Sequence, residues 1–427
     1  MTDAVSSAAP GPRRRRPIAE SAFRHRSFRL FWAARFLATF AAQIVGVAVG
    51  WQVYAMTSSP FDLGLVGLVQ FAPALVLVLV SGHLADRFNR RAIMGIGQLV
   101  EALATGAILV LTVAGIVSTV WIFALLFVIG VARAFMNPAA SSLMPNLVPP
   151  EDIASAAALG SSAWNIANIL GPMAGGLLYG VSSSAAYGVA FVLVVGATVF
   201  IALVPKPAQK TMLEPRTWST VLAGFGYVWR EKVVLGAISL DLFAVLLGGA
   251  TALLPAYARD ILVTGPWGLG VLRSAAGIGA ILMATYLTLR PIRDRAGVLM
   301  FIAVALFGAF TIVFGLSRTV WLSALALAFA GAADMVSVQI RETLIQLWTP
   351  DRVRGRVNAV NSVFIGASNE LGEFRAGTMA AVIGVVPAVV VGGVGTLVIA
   401  GLWSWWFPAI RRVRNLRGRE QPPVPQK

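Results

Sequence analysis

The sequence predicts an all-α integral membrane protein with twelve transmembrane helices in two pseudo-symmetric halves of six. Three observations lead to this fold class: an apolar composition, a series of long apolar runs and a weak internal repeat. Of the 427 residues, 58% are apolar and 12% are charged, whereas soluble domains average about 45 to 50% apolar and about 25% charged residues. Lipid is therefore expected to be the main solvent of this chain.

Twelve apolar runs are long enough for a helix to cross the hydrocarbon of a bilayer, which takes about 20 residues. Hydrocarbon offers no partner for a free backbone N–H or C=O group, and the runs are longer than barrel strands, so the spans are predicted to be helices. They begin near Phe28, Asp62, Ala92, Thr119, Ala154, Ser184, Val234, Gly265, Gly297, Thr319, Arg356 and Val386.

The distribution of basic residues predicts the orientation in the membrane. An even number of spans places both termini on one side, and of the 34 lysines and arginines only Arg259 and Arg318 lie in loops on the opposite side. By the positive-inside rule, both termini are predicted to be cytoplasmic, in a multi-pass protein of the cytoplasmic (inner) membrane. The loop from Met144 to Asp152 deviates, because its only charged residues are acidic.

Composition also argues against several classes of function. The chain has no cysteine and two histidines, which argues against disulfides, thiolate catalysis and a histidine metal site. Its net charge of +16 comes from basic residues that flank apolar runs instead of covering a folded polar surface, so nucleic acid is not expected as a partner. We expect no enzyme activity and no cofactor, and a monomer whose partners are the lipid bilayer, protons and a small organic substrate.

The chain divides into two halves that resemble each other. The halves, 28–204 and 234–410, are joined by a cytoplasmic linker at 205–233 and flanked by cytoplasmic tails at 1–27 and 411–427. An offset of 201 aligns the segment Gly130–Gly176 with Gly331–Gly377, and an offset of 206 aligns Pro60, Leu63, Gly64 and Met94 with Pro266, Leu269, Gly270 and Met300. Such parallel halves are typical of transporters with a substrate path at their interface, near the membrane midplane.

A loop motif follows the second span and consists of Gly82, Asp86, Arg87, Asn89, Arg90 and Arg91. It resembles the signature loop of the major facilitator superfamily, although a merely positive-inside loop is the alternative. Asn89 replaces the usual glycine and is expected to keep the turn, because asparagine tolerates left-handed backbone. The resemblance implies that Asp86 gates the transporter by facing the start of helix eleven, around Val353 to Arg356, when the cytoplasmic side is closed.

A second motif lies in helix five, at Gly171, Pro172, Gly175 and Gly176. It resembles the end of a motif found in antiporters of the superfamily, with Ala158 and Ala167 at two upstream glycine positions. Small residues allow close helix contact and proline bends a helix. Glycine-rich packing without directional meaning stays open as the alternative.

Within the superfamily, the chain resembles the enterobactin exporter group over nearly its whole length. The resemblance rests on Phe31–Phe36, Gly46–Val49, the Asp86 loop, Arg133–Pro138 and Ser368–Gly377. It implies proton-driven export of a siderophore-like or amphipathic organic molecule by alternating access. An importer on the same fold and an integral-membrane lipid-handling protein are the alternatives.

Ionisable residues inside a membrane are costly and are expected to face a cavity or a partner. A carboxylate there can load or release a proton when a nearby arginine moves. Glu370 and Glu373 share one face of helix eleven and are expected to pair with a base such as Arg273; fixed ion pairs are the alternative. The candidates for cavity or substrate contacts are Arg35, Gln43, Arg133, Asn165 and Arg341, and those for proton coupling are Asp241, Asp334, Glu370 and Glu373.

Overall fold

The computed structural model describes residues 22–206, 225–292 and 294–413, without the side chains of residues 78, 79, 86, 351 and 352. All regular secondary structure in these ranges is helical. The twelve long helices are α1 (Arg26–Thr57), α2 (Pro60–Arg87), α3 (Arg90–Val113), α4 (Thr119–Leu143), α5 (Ile153–Val181), α6 (Ser183–Leu203), α7 (Lys232–Gly248), α8 (Gly265–Leu289), α9 (Ala296–Leu316), α10 (Val320–Trp348), α11 (Asp351–Ile383) and α12 (Val385–Trp406).

The helices begin within two residues of the predicted spans, except α11, which begins five residues earlier at Asp351. Its first turns are polar, so the apolar run starts later than the helix. Ten helices in the described ranges are long and apolar enough to cross a membrane, with α7 counted through its extension to Ile261. The other two, α5 and α11, pack within the same bundle but are too rich in small or polar residues, so twelve spans stay a prediction.

Each half repeats one packing pattern. In the first half α1 packs against α5 and α6, α4 packs against α2 and α3, and α3 packs against α6. In the second half α7 packs against α11 and α12, α10 packs against α8 and α9, and α9 packs against α12. Raising every helix number by six converts one pattern into the other. The halves meet mainly through α2 against α11 and α5 against α8.

Two pairs of glycines bring the halves together, and the two sequence offsets of the internal repeat relate one pair to the other. A Cβ added to Gly176 of α5 would lie 2.9 Å from the Cα of Gly270 in α8, and one added to Gly377 of α11 would lie 2.8 Å from the Cα of Gly64 in α2. The first pair becomes the second through the offsets of 201 and 206. Close helix contact is what small residues permit in a membrane protein.

The loop between α2 and α3 is built differently from the expectation. Asn89 has φ −64°, so the predicted left-handed conformation is wrong. The Asn89 side chain instead accepts hydrogen bonds from the amides of Arg91 (3.1 Å) and Ala92 (3.4 Å), and thereby caps the first turn of α3. An N-cap residue takes extended backbone, which removes the need for glycine.

Arg90 and Arg91, the two residues with which α3 begins directly after this loop, bind helix ends. Arg90 donates to the carbonyl oxygens of Ala85 in α2 (3.1 Å) and Ser142 in α4 (3.0 Å). Arg91 donates to the carbonyl oxygens of Ile201 (3.3 Å) and Ala202 in α6. Guanidinium groups satisfy the free carbonyls at helix C-termini and complement their negative partial charge. The ends of α2, α4 and α6 are therefore held by the start of α3.

Helix α7 ends inside the bundle at Gly248, and Arg375 of α11 compensates for the break. Its guanidinium donates to the carbonyl oxygens of Leu246 (2.7 Å) and Leu247 (2.5 Å). Carbonyls freed at a helix break inside a membrane protein need other partners, because each unsatisfied group in hydrocarbon costs several kcal/mol. The chain continues through a 3-10 turn and ends the extension in a π-helical segment, Tyr257–Ile261.

The glycine interface predicts opposite effects for the same substitution at two positions of α5. Gly176→Ala places a Cβ 2.6 Å from the carbonyl oxygen of Pro266, so we expect the halves to separate and the free energy of unfolding to fall by about 1 to 3 kcal/mol. Gly180→Ala meets nothing within 4 Å and should stabilise α5 by up to about 1 kcal/mol, because alanine favours helix. Thermal unfolding in detergent measures the change in melting temperature of each variant. Equal changes in the two variants would contradict the close packing at Gly176.

Candidate substrate and proton site

A cavity of about 480 Å³ lies between the two halves and is called the central cavity. Residues from α1, α2, α4, α5, α8, α11 and the extension that follows α7 line it. Among the described residues, α3, α6, α9, α10 and α12 contribute none to the lining. The polar and charged lining consists of Gln43, Gln70, Arg133, Asn168, Arg273, Glu370 and Glu373, with Thr251 from the α7 extension.

Two carboxylates of α11 converge on one glycine of α2. A Cβ added to Gly67 would lie 2.5 Å from Oε2 of Glu370 and 3.1 Å from Oε2 of Glu373. The missing side chain of Gly67 is what makes room for both acidic groups. The second half of the protein therefore inserts its paired acids into the surface of the first half.

Each of the two acids has a basic neighbour at longer range. One of these bases lies in the first half and the other in the second half. Glu370 is attracted by Arg133 of α4, and Glu373 by Arg273 of α8. The structure shows no salt bridge between Arg273 and either glutamate in the described part of the chain, so the expected pair is not formed here. Arg273 instead lies against α1, where a Cβ on Gly46 would be 3.2 Å from its Nη1.

Arg133 is held by a carboxylate of the first half. Its Nε and Nη2 donate to Oε1 of Glu101 at 3.0 and 2.5 Å, and its Nη1 donates to Gln70 at 3.2 Å. Glu101 is buried in α3, where its charge requires a partner. This ion pair fixes the Arg133 guanidinium at the wall of the central cavity.

A second cavity of about 720 Å³ lies entirely within the first half, toward the end of the bundle that holds residues 22 and 413. We call that end of the bundle the near end, the opposite end the far end, and this cavity the near-side pocket. Its lining includes Phe28, Trp32, Arg35, Thr39, Ala140, Trp164 and Asn165.

One hydrogen bond lies between the two cavities. Gln43 of α1 donates from Nε2 to Oδ1 of Asn168 in α5 at 2.5 Å, and both residues line the central cavity. Thr39 and Asn165, about one helical turn nearer the termini, line the near-side pocket. This bond therefore lies where the two cavities come closest along α1 and α5.

The remaining predicted charges form a cluster within the second half. Arg341 of α10 forms an ion pair with Asp241 of α7, and the two residues are 3% and 9% exposed. Asp334 of α10 interacts electrostatically with both. Arg341, predicted as a cavity residue, lines neither the central cavity nor the near-side pocket.

The two sequence motifs differ in how far the structure describes them. In the loop motif, Gly82 is buried and Arg87 is exposed, while the Asp86 side chain lies outside the described residues and its contact with α11 stays a prediction. The glycines of the α5 motif are buried: Gly171 and Gly175 lie against α1, and Gly176 lies against α8.

A contact at the far end joins the halves and was not predicted. The hydroxyl of Tyr54, near the end of α1, donates to a carboxylate oxygen of Asp260 in the π-helical segment. Arg259 donates to the Tyr54 carbonyl oxygen at 2.8 Å, and its guanidinium lies 5.6 Å from the Tyr54 ring centre. We call these three residues the far-side latch. Its only signal in the sequence was a basic residue beside an acid in a far-side loop.

The contacts between the halves define the conformation. The latch and both glycine pairs lie toward the far end, which is closed. These contacts hold the two halves together at the far end.

Solved structures share this fold. A bacterial homologue of the human lysosomal transporter Spinster, in an inward-facing and unoccupied conformation, aligns with a TM-score of 0.69 at 15% identity, covering 91% of this chain and 98% of that one. A peptide-bound transporter of the POT family aligns with a TM-score of 0.71 at 13% identity, covering 90% and 96%. At such identities the likeness concerns the fold alone.

Sequence relatives span almost the whole chain. It is 27% identical over 416 residues to the enterobactin exporter EntS of Citrobacter koseri, covering 94% of this chain and 95% of that protein. It is 28% identical over 406 residues to EntS of Escherichia coli O1:K1, covering 92% and 94%. Residues 18–419 match the model of the family described as transmembrane secretion effector. The chain is thus a multi-pass membrane protein of the major facilitator type and belongs to the transmembrane secretion effector family.

Proposed function

We propose that this protein is a proton-coupled exporter of siderophore-like or other amphipathic organic molecules, working by alternating access in the cytoplasmic membrane with both termini in the cytoplasm. The observation that carries the proposal is the pair Glu370 and Glu373, which the second half inserts against Gly67 of the first half. An acidic pair at a contact between moving halves gives proton binding a direct influence on their arrangement. The relatives that are named as enterobactin exporters support the direction and the kind of cargo.

Coupling follows from electrostatics at this contact. Two ionised carboxylates repel each other, and a proton on either one relieves the repulsion. Their basic neighbours, Arg133 and Arg273, belong to different halves, so a rocking motion changes the attraction on Glu370 and Glu373 unequally. Protonation and conformation are then linked, because a proton that binds one state more tightly shifts the population toward that state.

The two cavities suggest a route for the cargo. The near-side pocket lies toward the termini, which the distribution of basic residues predicts to be cytoplasmic. Cargo entering there reaches the central cavity once the bond between Gln43 and Asn168 opens, and leaves when the far-side latch separates. An importer would use the same parts in reverse order, and a lipid-handling protein would need no proton gradient.

Replacing the acidic pair should uncouple transport from the proton gradient. In vesicles with an imposed gradient, Glu370→Gln and Glu373→Gln should each reduce accumulation of an exported siderophore by about tenfold or more, while exchange of cargo without a gradient persists. In the parent, protons should move across the vesicle membrane in the direction opposite to the cargo, as the lumenal pH reports. Protons and cargo moving in the same direction would identify an importer. Cargo transport that does not depend on the gradient would contradict coupling.

A matched pair of variants tests the second acidic cluster as the coupling site. Asp334→Asn and Asp241→Asn, both candidates from the sequence, remove a carboxylate of equal charge within the second half. Because Asp241 is held in the buried pair with Arg341, we expect the main effect of Asp241→Asn to be lower thermal stability. We expect Asp334→Asn to leave proton coupling largely intact. Full coupling in both glutamine variants, with loss in an asparagine variant, would move the proton site to this cluster.

Weakening the far-side latch should open the far end. Tyr54→Phe removes the hydroxyl that donates to Asp260, and a hydrogen bond to a charged group contributes about 1.5 to 3 kcal/mol. We therefore expect the far-open population to rise by about tenfold for each 1.4 kcal/mol lost. The chain has no natural cysteine, so labelling of Ala252→Cys, in the central cavity, by an impermeant maleimide measures this opening directly.

The control for the latch is the same chemical change elsewhere. Tyr286 of α8 is 52% exposed and takes no part in the latch, so Tyr286→Phe should label at the parental rate. Equal labelling rates in Tyr54→Phe and Tyr286→Phe would show that the hydroxyl does not hold the far end closed.

A further inference from the structure

Arg35 is a half-buried cation without a carboxylate in direct contact in the described part of the chain. Glu101, which forms its ion pair with Arg133, attracts Arg35 only from a distance. Arg35 lies nine residues into α1 and lines the near-side pocket. No hydrogen bond or ion pair of its guanidinium is formed within the described ranges, and the pocket lining contains no acidic residue. A charge at this depth in a membrane protein requires water or a partner.

Comparison of the two halves shows which position of the first half would hold a partner for Arg35. The offset of 206 relates Arg35 to Asp241, and the offset of 201 relates Ala140 to Arg341. In the second half those two positions form the buried ion pair. In the first half the same pair of positions holds a cation and a methyl group, and both line the near-side pocket.

The equivalence of these positions is supported by packing. A Cβ on Gly171 would lie 2.6 Å from the Cβ of Gln43, and the related residues Gly372 and Gly249 approach to 3.6 Å, measured from a Cβ on Gly249. The same offsets therefore relate the contact of α5 with α1 to the contact of α11 with α7. Arg35 and Ala140 therefore occupy the positions equivalent to Asp241 and Arg341, and the pocket that both line leaves space beside the Arg35 guanidinium.

Aromatic rings complete the pocket. The Trp32 ring stacks on Phe36 with centres 5.5 Å apart and an interplanar angle of 4°, and its Nε1 donates to the Leu159 carbonyl oxygen at 3.0 Å. Trp164 lines the pocket from α5 and is 56% exposed. Fixed ring faces bind flat aromatic groups, and guanidinium binds carboxylates in a two-point geometry.

We propose that the near-side pocket is a binding site for organic anions that carry a flat ring, with Arg35 as the cation that recognises the acidic group. This inference deepens the proposed function by naming its cargo class and loading site. The site lies in one half only, apart from the acids of the central cavity. Cargo recognition and proton binding then use different residues.

Binding to the purified protein in detergent, without a membrane gradient, tests the site separately from transport. The probes are naphthalene-2-carboxylate and its uncharged analogue naphthalene-2-carboxamide, compared by isothermal titration calorimetry at neutral pH. We expect the carboxylate to bind at least about tenfold more tightly than the amide, since charge-assisted bonds contribute about twice as much as neutral ones. Equal affinities, or no measurable binding of either probe, would overturn the proposal whatever transport assays show.

Two variants test whether Arg35 causes this preference. Arg35→Gln should reduce the ratio between the two probes to about threefold or less, a change of at least half a decade that the calorimeter resolves. Arg318→Gln, an exposed far-side residue, removes the same charge and should leave the ratio unchanged. A retained preference in Arg35→Gln would overturn the role of this residue.

Ala140→Asp restores in the first half the pair that exists in the second. The new carboxylate should occupy the position of the anion, so we expect loss of naphthalene-2-carboxylate binding together with thermal stability equal to or above that of the parent. Unchanged thermal stability of this variant excludes misfolding as the reason for lost binding. Undiminished binding of the carboxylate in stable Ala140→Asp would show that the anion does not bind between these two positions.

Discussion

The structure depends on backbone contact between helices at paired glycines. A membrane offers little hydrophobic driving force between helices, so association rests on close packing and on polar groups that satisfy each other. Gly64 with Gly377, and Gly176 with Gly270, let α2 approach α11 and α5 approach α8 closely. Because α2 and α11 are so close, the acids one to two turns before Gly377 in α11 reach the surface of α2, and the absence of a side chain at Gly67 gives them room.

A symmetric frame carries an asymmetric set of charges. The packing pattern of one half repeats in the other, yet Gly67 in α2 corresponds to Arg273 in α8, and Glu373 in α11 corresponds to Pro172 in α5 through the two offsets. The frame provides two equivalent contacts between halves, and only the contact of α2 with α11 receives acids. The candidate functional residues of this contact therefore lie at positions where the two halves differ in sequence.

The sequence predicted the helices well because a membrane span is marked by one property, a run of about 20 apolar residues. It placed Gln43, Arg133, Glu370 and Glu373 in positions that the structure brings to one cavity. It did not predict where long flexible side chains end. Arg273 lies against the glycines of α1 and not in an ion pair, and Arg375 binds backbone carbonyls at a helix break that the glycines at 248 and 249 could have signalled. Contacts such as Tyr54 with Asp260 join residues far apart in the chain, and no local pattern encodes them.

The start of α3 has a mechanical consequence. Arg90 and Arg91 bind the carbonyl ends of α2, α4 and α6, so three helices of the first half are tied at one point near the termini. A helix tied in this way cannot swing outward alone, because its neighbours must follow. In the proposed alternating access, these helices of the first half would therefore tilt together. Because each residue adds about 1.5 Å of rise, a small tilt of long helices displaces their far ends more than their tied ends.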